Sequence, residues 1–297
     1  MNPINHEDSA WVQRLLKNQK PDGASLREHL LLVHKMNPGF TESCAAKCVD
    51  DYDRNTYEIL ANVVDPSRHV SVLEIACGSG VLLQICDQRF GANIELSGID
   101  MSSEELALAR LRNPSPKIKL YQGVSQDMNF LKDGSFDVVL CHWALTLMDE
   151  VSLVLREIKR VLKPGGIFAA IVDGEPSTAP GYEEVHNLIY NKTNKEIKNY
   201  GAIDLGDPRV RTTQALGELV GATFEDVNIK VEPLVFNLKA DPDVLAREVA
   251  GFFYASFLLS SLAYQQLLEK LAAQFGRQNA GDQSKFALPV NKLIVTR

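Results

Sequence analysis

The feature that most constrains this chain is the passage from an apolar run into a bare turn at residues 70–80, Val-Ser-Val-Leu-Glu-Ile-Ala-Cys-Gly-Ser-Gly. Val70 to Ala76 is apolar and β-branched at several positions, which predicts a short buried strand. Cys77-Gly78-Ser79-Gly80 breaks the run, and Val81 to Phe90 has helical spacing. Strand, glycine turn and helix together open a nucleotide-binding α/β unit, because glycine lets the backbone turn sharply and come close to a ligand. Ile94 to Ile99 reads as a second strand ending in Asp100. That places an acid about 20 residues after the turn, where a carboxylate can bond ribose hydroxyls. A dinucleotide fingerprint needs G-x-G-x-x-G, and here the third position is Leu83. The turn therefore suits a nucleoside without a pyrophosphate.

The rest of the chain builds outward from this unit. Ser102 and Glu105 form a capping box for a helix to about Arg112, stopped by Asn113-Pro114-Ser115-Pro116. Ile118 to Gln122 is a third strand and Phe136 to Leu140 a fourth, tipped by Cys141-His142-Trp143. Ligands of an open parallel sheet sit outside the carboxyl ends of its strands, so His142 and Trp143 are expected to face the pocket. Histidine titrates near neutral pH and can take a proton, and an indole face attracts a cation. The alternative for His142 is a structural hydrogen bond at a strand end. Asp149 to Leu162 is an amphipathic helix, Leu162 to Gly166 a turn, and Ile167 to Val172 a fifth strand. Tyr182 to Tyr200 reads as an inserted helix, Phe224 to Val231 and Leu234 to Leu238 as strands, Asp241 to about Phe275 as helix, and Phe286 to Val295 as a last strand. Before the core, Ser25 with Glu28 predicts the start of a helix to His34.

The residues at 74–80 and Asp100, with Leu162-Lys163-Pro164-Gly165-Gly166, resemble the class I S-adenosylmethionine-dependent methyltransferases, especially the small-molecule, quinone-biosynthesis-like branch. The resemblance covers roughly Tyr52 to Val172. It implies a Rossmann-like, seven-stranded, mostly parallel sheet with a helical N-terminal cap and an inserted helical segment. The expected organisation is a cap over 1–69, a cofactor-binding core over 70–173, a substrate-side insertion over 174–223, and the remaining core with a helical lid over 224–297. The resemblance assigns the cofactor to Glu74, Ala76, Gly78, Gly80 and Asp100, with Met101 against adenine and Cys141 at the fourth strand tip. Ala76 stands where a first glycine is common. The acid expected in the loop after the third strand is replaced by Val124, leaving Gln126, Asp127 and Met128 to serve, or Asp127 to cap the turn. Tyr52 and Arg54 stand where a residue reaches the methionine end of the cofactor; a surface arginine is the alternative. Tyr182, like His142 and Trp143, is a candidate for the reacting centre.

Composition excludes several classes. With 31 basic and 38 acidic residues the net charge is −7, which argues against a nucleic-acid backbone as partner. The apolar stretch Gly251 to Tyr264 is shorter than the roughly 20 residues that span a membrane, and reads as a buried helix. Five scattered cysteines form neither a disulfide framework nor a metal site, and suggest a reducing cytoplasm. The expected function is methyl transfer from S-adenosylmethionine to a small molecule, by a monomer or homodimer. Two alternatives stand beside it. One is a lyase that closes the cofactor's own amino group into azetidine-2-carboxylate, releasing methylthioadenosine, which Asn37 to Thr41 loosely suggests by resemblance to such synthases. The other is a non-catalytic cofactor-binding protein.

Overall fold

The computed structural model describes residues 2–201, 205–225, 227–277 and 284–297. In chain order the helices are α1 (Ala10–Leu16), α2 (Gly23–Met36), α3 (Glu42–Lys47), α4 (Thr56–Ala61), α5 (Val81–Phe90), α6 (Ser103–Arg112), α7 (Val151–Val161), α8 (Tyr182–Glu196), α9 (Thr213–Gly221), α10 (Pro242–Phe252) and α11 (Ser261–Arg277). The strands are β1 (Ser71–Ile75), β2 (Glu95–Asp100), β3 (Lys119–Gln122), β4 (Phe136–His142), β5 (Leu162–Asp173), β6 (Asn228–Ala240) and β7 (Ser284–Thr296). Two compact units result. One holds residues 56–174, 206–234 and 290–297; the other holds 1–55, 175–205 and 235–289. Residues 56–69, read from the sequence as cap, and 206–223, read as insertion, lie in the first of these units.

The sheet runs in the order β3-β2-β1-β4-β5-β7-β6. β1 pairs in parallel with β2 and β4, and β4 with β5, while β7 runs antiparallel to β5. Strand order therefore reverses between β1 and β4, which opens a crevice at their carboxyl ends. β1 is buried at all five positions, as a central parallel strand covered on both faces must be. α7 carries Val151, Val154, Leu155, Ile158 and Val161 on one stripe. These pack with Leu73, Val139, Phe168 and Leu219 of β1, β4, β5 and α9 into one core cluster. Each such side chain contributes about 1.5–3 kcal/mol by leaving water.

In the other unit, Ser9 caps α1 by accepting from the Val12 N–H, and its hydroxyl bonds His29 Nδ1 at 3.0 Å. Tyr182, His186 and Tyr190 of α8 stack in series and meet Phe253 and Phe286.

Four expectations are corrected here. Asp22, not Ser25, caps α2; Ser25 stands at N3 and reciprocates, doing for Asp22 what Glu28 was expected to do. The two strands expected across 224–238 are one, β6, with Pro233 tolerated because β6 lies at the sheet edge. The helix expected from 241 to 275 is broken between α10 and α11, so the buried stretch 251–264 is not one helix; residues 254–258 form a 3-10 turn. Leu162 to Gly166 already belongs to β5 rather than forming a separate turn, and the Gly165 N–H bonds the Arg297 carbonyl.

Candidate active site at the carboxyl edge of the sheet

The glycine turn is held from two sides. Ala76, Gly78 and Gly80 all adopt left-handed backbone, at φ of 48°, 51° and 76°. For Ala76 that conformation costs of order 1 kcal/mol, a strain that persists only where the surroundings impose it. The Cys77 N–H bonds the Ile99 carbonyl, and the Gly80 N–H bonds the Cys77 carbonyl. Asp100, at the tip of β2, closes the arrangement. Its Oδ2 accepts from the Gly78 N–H at 2.8 Å, and its Oδ1 accepts from the Ser102 N–H at 2.8 Å. Gly98 of β2 is equally necessary. A Cβ there would lie 2.7 Å from Leu83 Cδ1 and 2.8 Å from Cys77 Sγ, so any side chain would push α5 and the turn away.

Glu74 lies beneath this turn, 2% exposed. Burial, and then the charge of Asp100, drive its pKa well above the usual carboxylate range, against the Leu83 backbone hydrogen bond. Its Oε2 has no partner. A buried carboxyl oxygen without a partner is costly, and a ligand donor at this site would relieve it. The thiol of Cys77 is pushed up by burial and by Glu74, so it packs as a small apolar group.

The tip of β4 carries the second half of the site. His142 shares a hydrogen bond with Thr56 Oγ1 at 2.8 Å and stacks on Tyr57, ring centroids 3.8 Å apart. Burial lowers its pKa to about 3. At that value the imidazole is neutral at physiological pH, and its hydrogen bond ties the tip of β4 to α4. Trp143 takes a left-handed φ of 58° and donates its N–H to the Ile171 carbonyl. The last residue of β5 is Asp173. Burial raises the Asp173 pKa, and the positive charge of Arg211 opposes the rise. The Asp173 N–H donates to Thr146 Oγ1 at 3.0 Å, and Asn291 Nδ2 donates to the Asp173 and Arg211 carbonyls. Gly206, upstream of Arg211, packs so tightly on the Thr146–Leu147 backbone that no side chain fits.

Several expected cofactor residues have their side chains committed elsewhere. Met128 and Cys141 are fully buried in the core cluster, and burial raises the Cys141 thiol pKa to about 12. Only their backbone atoms are left to meet a ligand. The Gln126 amide donates to the Asp149 carbonyl and Oδ1 at 3.0 Å. Asp127 caps its own turn, accepting from the Asn129 N–H. Met101 remains half-buried after β2, its carbonyl accepting from Gln122 Nε2. Tyr52, Arg54 and Tyr182 belong to the other compact unit. There Arg54 binds Asp50 Oδ2 through Nε at 3.0 Å and Nη2 at 2.6 Å, and lies over the Tyr52 ring, so its guanidinium already holds a carboxylate. Tyr52 is exposed, and Tyr182 is buried. Asp173, Arg211, Thr146 and Gly98 were missed by sequence reading. The only signal was the acid directly after the fifth apolar run.

Residues 73–170 match the family model described as a methyltransferase domain. A demethylmenaquinone methyltransferase of Lactococcus lactis is 35% identical over 124 residues, 41% of this chain and 48% of that protein. The chain spans about half the length of the curated relatives it matches. Among solved structures, a phosphoethanolamine N-methyltransferase of Haemonchus contortus, in complex with phosphomonomethylethanolamine and S-adenosylhomocysteine, superposes with TM-score 0.56 at 18% identity, covering 94% of this chain and 61% of that one. The YcgJ protein of Bacillus subtilis gives 0.54 at 16% identity, covering 81% and 97%. These two show the fold alone. The strand order, the glycine turn and the family match agree: residues 73–170 are similar to a methyltransferase domain, on a fold shared with solved methyltransferase structures.

Proposed function

We propose that this chain binds S-adenosylmethionine and transfers its methyl group to a small-molecule acceptor. The observation that carries the reading is the clamp of Asp100 on the Gly78 and Ser102 N–H groups, beside a turn with left-handed backbone at Ala76, Gly78 and Gly80. A carboxylate oxygen has two lone pairs, so one that accepts from a backbone N–H can accept from a ribose hydroxyl as well. The backbone at Gly78 lets the nucleoside approach, and Glu74 Oε2 is a buried acceptor awaiting a donor. When bound, the cofactor supplies an activated methyl group on a sulfonium. The chain's own contribution is alignment and exclusion of water, together worth orders of magnitude in rate when the reacting atoms are held in line. His142, engaged with Thr56, shapes the pocket wall, and Trp143 offers an aromatic face to a cation.

The acceptor is a small molecule, as the names of the matched methyltransferases suggest. The free thiols of Cys44, Cys48, Cys77, Cys86 and Cys141 support a reducing compartment such as the cytoplasm. No helix among the described residues is long and apolar enough to cross a membrane.

The test is mass spectrometry of cofactor products, with and without the low-mass fraction of a cell extract. S-adenosylhomocysteine formed only with extract is the expected result. Methylthioadenosine formed from cofactor alone would replace methyl transfer by the cyclising reaction. Binding without either product would leave a cofactor-binding protein.

A further inference from the structure

Four cationic residues line one cavity at the amino end of β5, the opposite end of the strands from the glycine turn. The cavity has a volume of about 410 Å³. Its walls are Arg156, Lys159 and Arg160 of α7, Ala222 and Thr223 just after α9, and Arg297 just after β7. No aspartate or glutamate is among them, in a chain whose net charge is −7. One of the four cations is already balanced: Arg160 donates to both Glu157 oxygens at 2.8 Å and to Asp133 Oδ1 at 2.6 Å. The other three have no carboxylate partner among the described residues. Lys159 Nζ donates to the Thr223 carbonyl at 2.7 Å, which fixes the ammonium at the cavity wall. Arg297 Nη1 donates to the Leu162 carbonyl. Arg156 is exposed, with no hydrogen bond or ion pair among the described residues.

Helix electrostatics explains only part of this. Lys159 and Arg160 stand in the last turn of α7, where a cation offsets the negative end of the helix dipole. Arg156 stands a turn earlier, on the same face as Arg160, and Arg297 comes from a different element. Like charges held around one cavity repel, and an anion among them turns that repulsion into attraction. We propose that this cavity binds a small phosphate-bearing anion of two or more negative charges. A guanidinium meets a phosphate through two parallel N–H···O bonds, and a lysine meets it as a point charge. A monocarboxylate brings one charge and leaves two of the three cations uncompensated. The volume is that of a small-molecule site. The site is separate from the cofactor crevice and does not depend on the methyltransferase reading.

The experiment is isothermal titration of the whole chain with inorganic pyrophosphate, without divalent metal, at about 0.15 M salt, where long-range surface attraction is largely screened. Pyrophosphate carries no nucleoside, and competition by S-adenosylhomocysteine reports whether it has gone to the glycine turn instead. Wild type, Arg156→Gln, Arg156→Glu and Lys117→Gln are compared, and circular dichroism checks the fold of each. Lys117 is exposed and outside the cavity, so its variant controls for net charge alone. Wild type and Lys117→Gln are expected to bind pyrophosphate at one site, unaffected by S-adenosylhomocysteine. Arg156→Gln is expected to weaken it about 10-fold, the worth of one charge-assisted contact, and Arg156→Glu to weaken it further. No binding by wild type, an affinity unchanged in Arg156→Glu, equal weakening in Arg156→Gln and Lys117→Gln, or displacement by S-adenosylhomocysteine would each overturn the site. None of these results bears on the methyltransferase reading.

Discussion

Gly78 donates its backbone N–H to Asp100 Oδ2 at 2.8 Å, joining two positions 22 residues apart and tying the glycine turn to the tip of β2. The same carboxylate accepts from the Ser102 N–H, so one side chain sets the turn, the strand end and the start of α6.

Asp100→Ala leaves both N–H groups without their acceptor. The expected cost is about 1–3 kcal/mol of stability, read from the urea midpoint at unchanged slope. Loss of two ribose hydrogen bonds is expected to weaken S-adenosylmethionine by about 100-fold, read by titration calorimetry. A variant that loses stability but keeps affinity would make Asp100 a purely structural residue.

Gly80→Ala tests the other arm of the turn. The backbone there has φ of 76°, and a Cβ would lie 2.6 Å from Asn113 Nδ2 and 3.1 Å from Ala109 Cβ. Left-handed strain and the clash add, so a loss of about 2–3 kcal/mol is expected by thermal or chemical unfolding. Gly165→Ala, also left-handed but with open space around it, is expected to cost only the strain, about 1 kcal/mol.

Stability is expected to fall in mild acid because of His29. It is fully buried, bonded to Ser9 through Nδ1, with Nε2 unpartnered, and burial lowers its pKa from 6.5 to about 4. Above pH 6.5 neither folded nor unfolded chain protonates it. As pH falls from 6.5 to about 4 the unfolded chain takes up a proton that the folded chain refuses, so stability is lost across that window, by about 3 kcal/mol in all. His142, lowered to about 3, adds a loss of the same sign that extends lower. Unfolding curves between pH 7.5 and 4.5 check this. His29→Leu is expected to flatten the slope, and an unchanged slope would remove His29 as its cause.

His142 itself gives a direct readout. Its ring, stacked on Tyr57 and bonded to Thr56, is expected to show no change in its imidazole nitrogen or carbon resonances between pH 8 and 5. A midpoint near 6.5 would restore it as a candidate general base.

The parts of this molecule legible in the sequence are those where local and global preferences agree. The run at 70–80 is apolar, then bare, then helical, and the structure has β1, a left-handed turn and α5 there. The stripe of α7 needed only its helical period. What stayed hidden depends on contacts distant in sequence. Nothing local shows that Met128 turns into the core, that Arg54 is taken by Asp50, or that Asn291 joins the carbonyls of Asp173 and the remote Arg211. His142 was legible as a residue at the strand tip but not as a neutral one, because its burial comes from Thr56 and Tyr57 on a helix 86 residues away. β6 ran through Pro233 because an edge strand spares that position its ladder bond, which the local pattern of residues does not state.

The measurement that bears most directly on the central claim is a crystal structure of the chain soaked with S-adenosylmethionine. The expected density places the ribose hydroxyls within hydrogen-bond distance of the Asp100 carboxylate and the nucleoside against the Gly78 backbone, with sulfur toward the tip of β4. Density for the cofactor away from the β1–β4 crevice, or within it but with no ribose hydroxyl within hydrogen-bond distance of Asp100, would contradict the account.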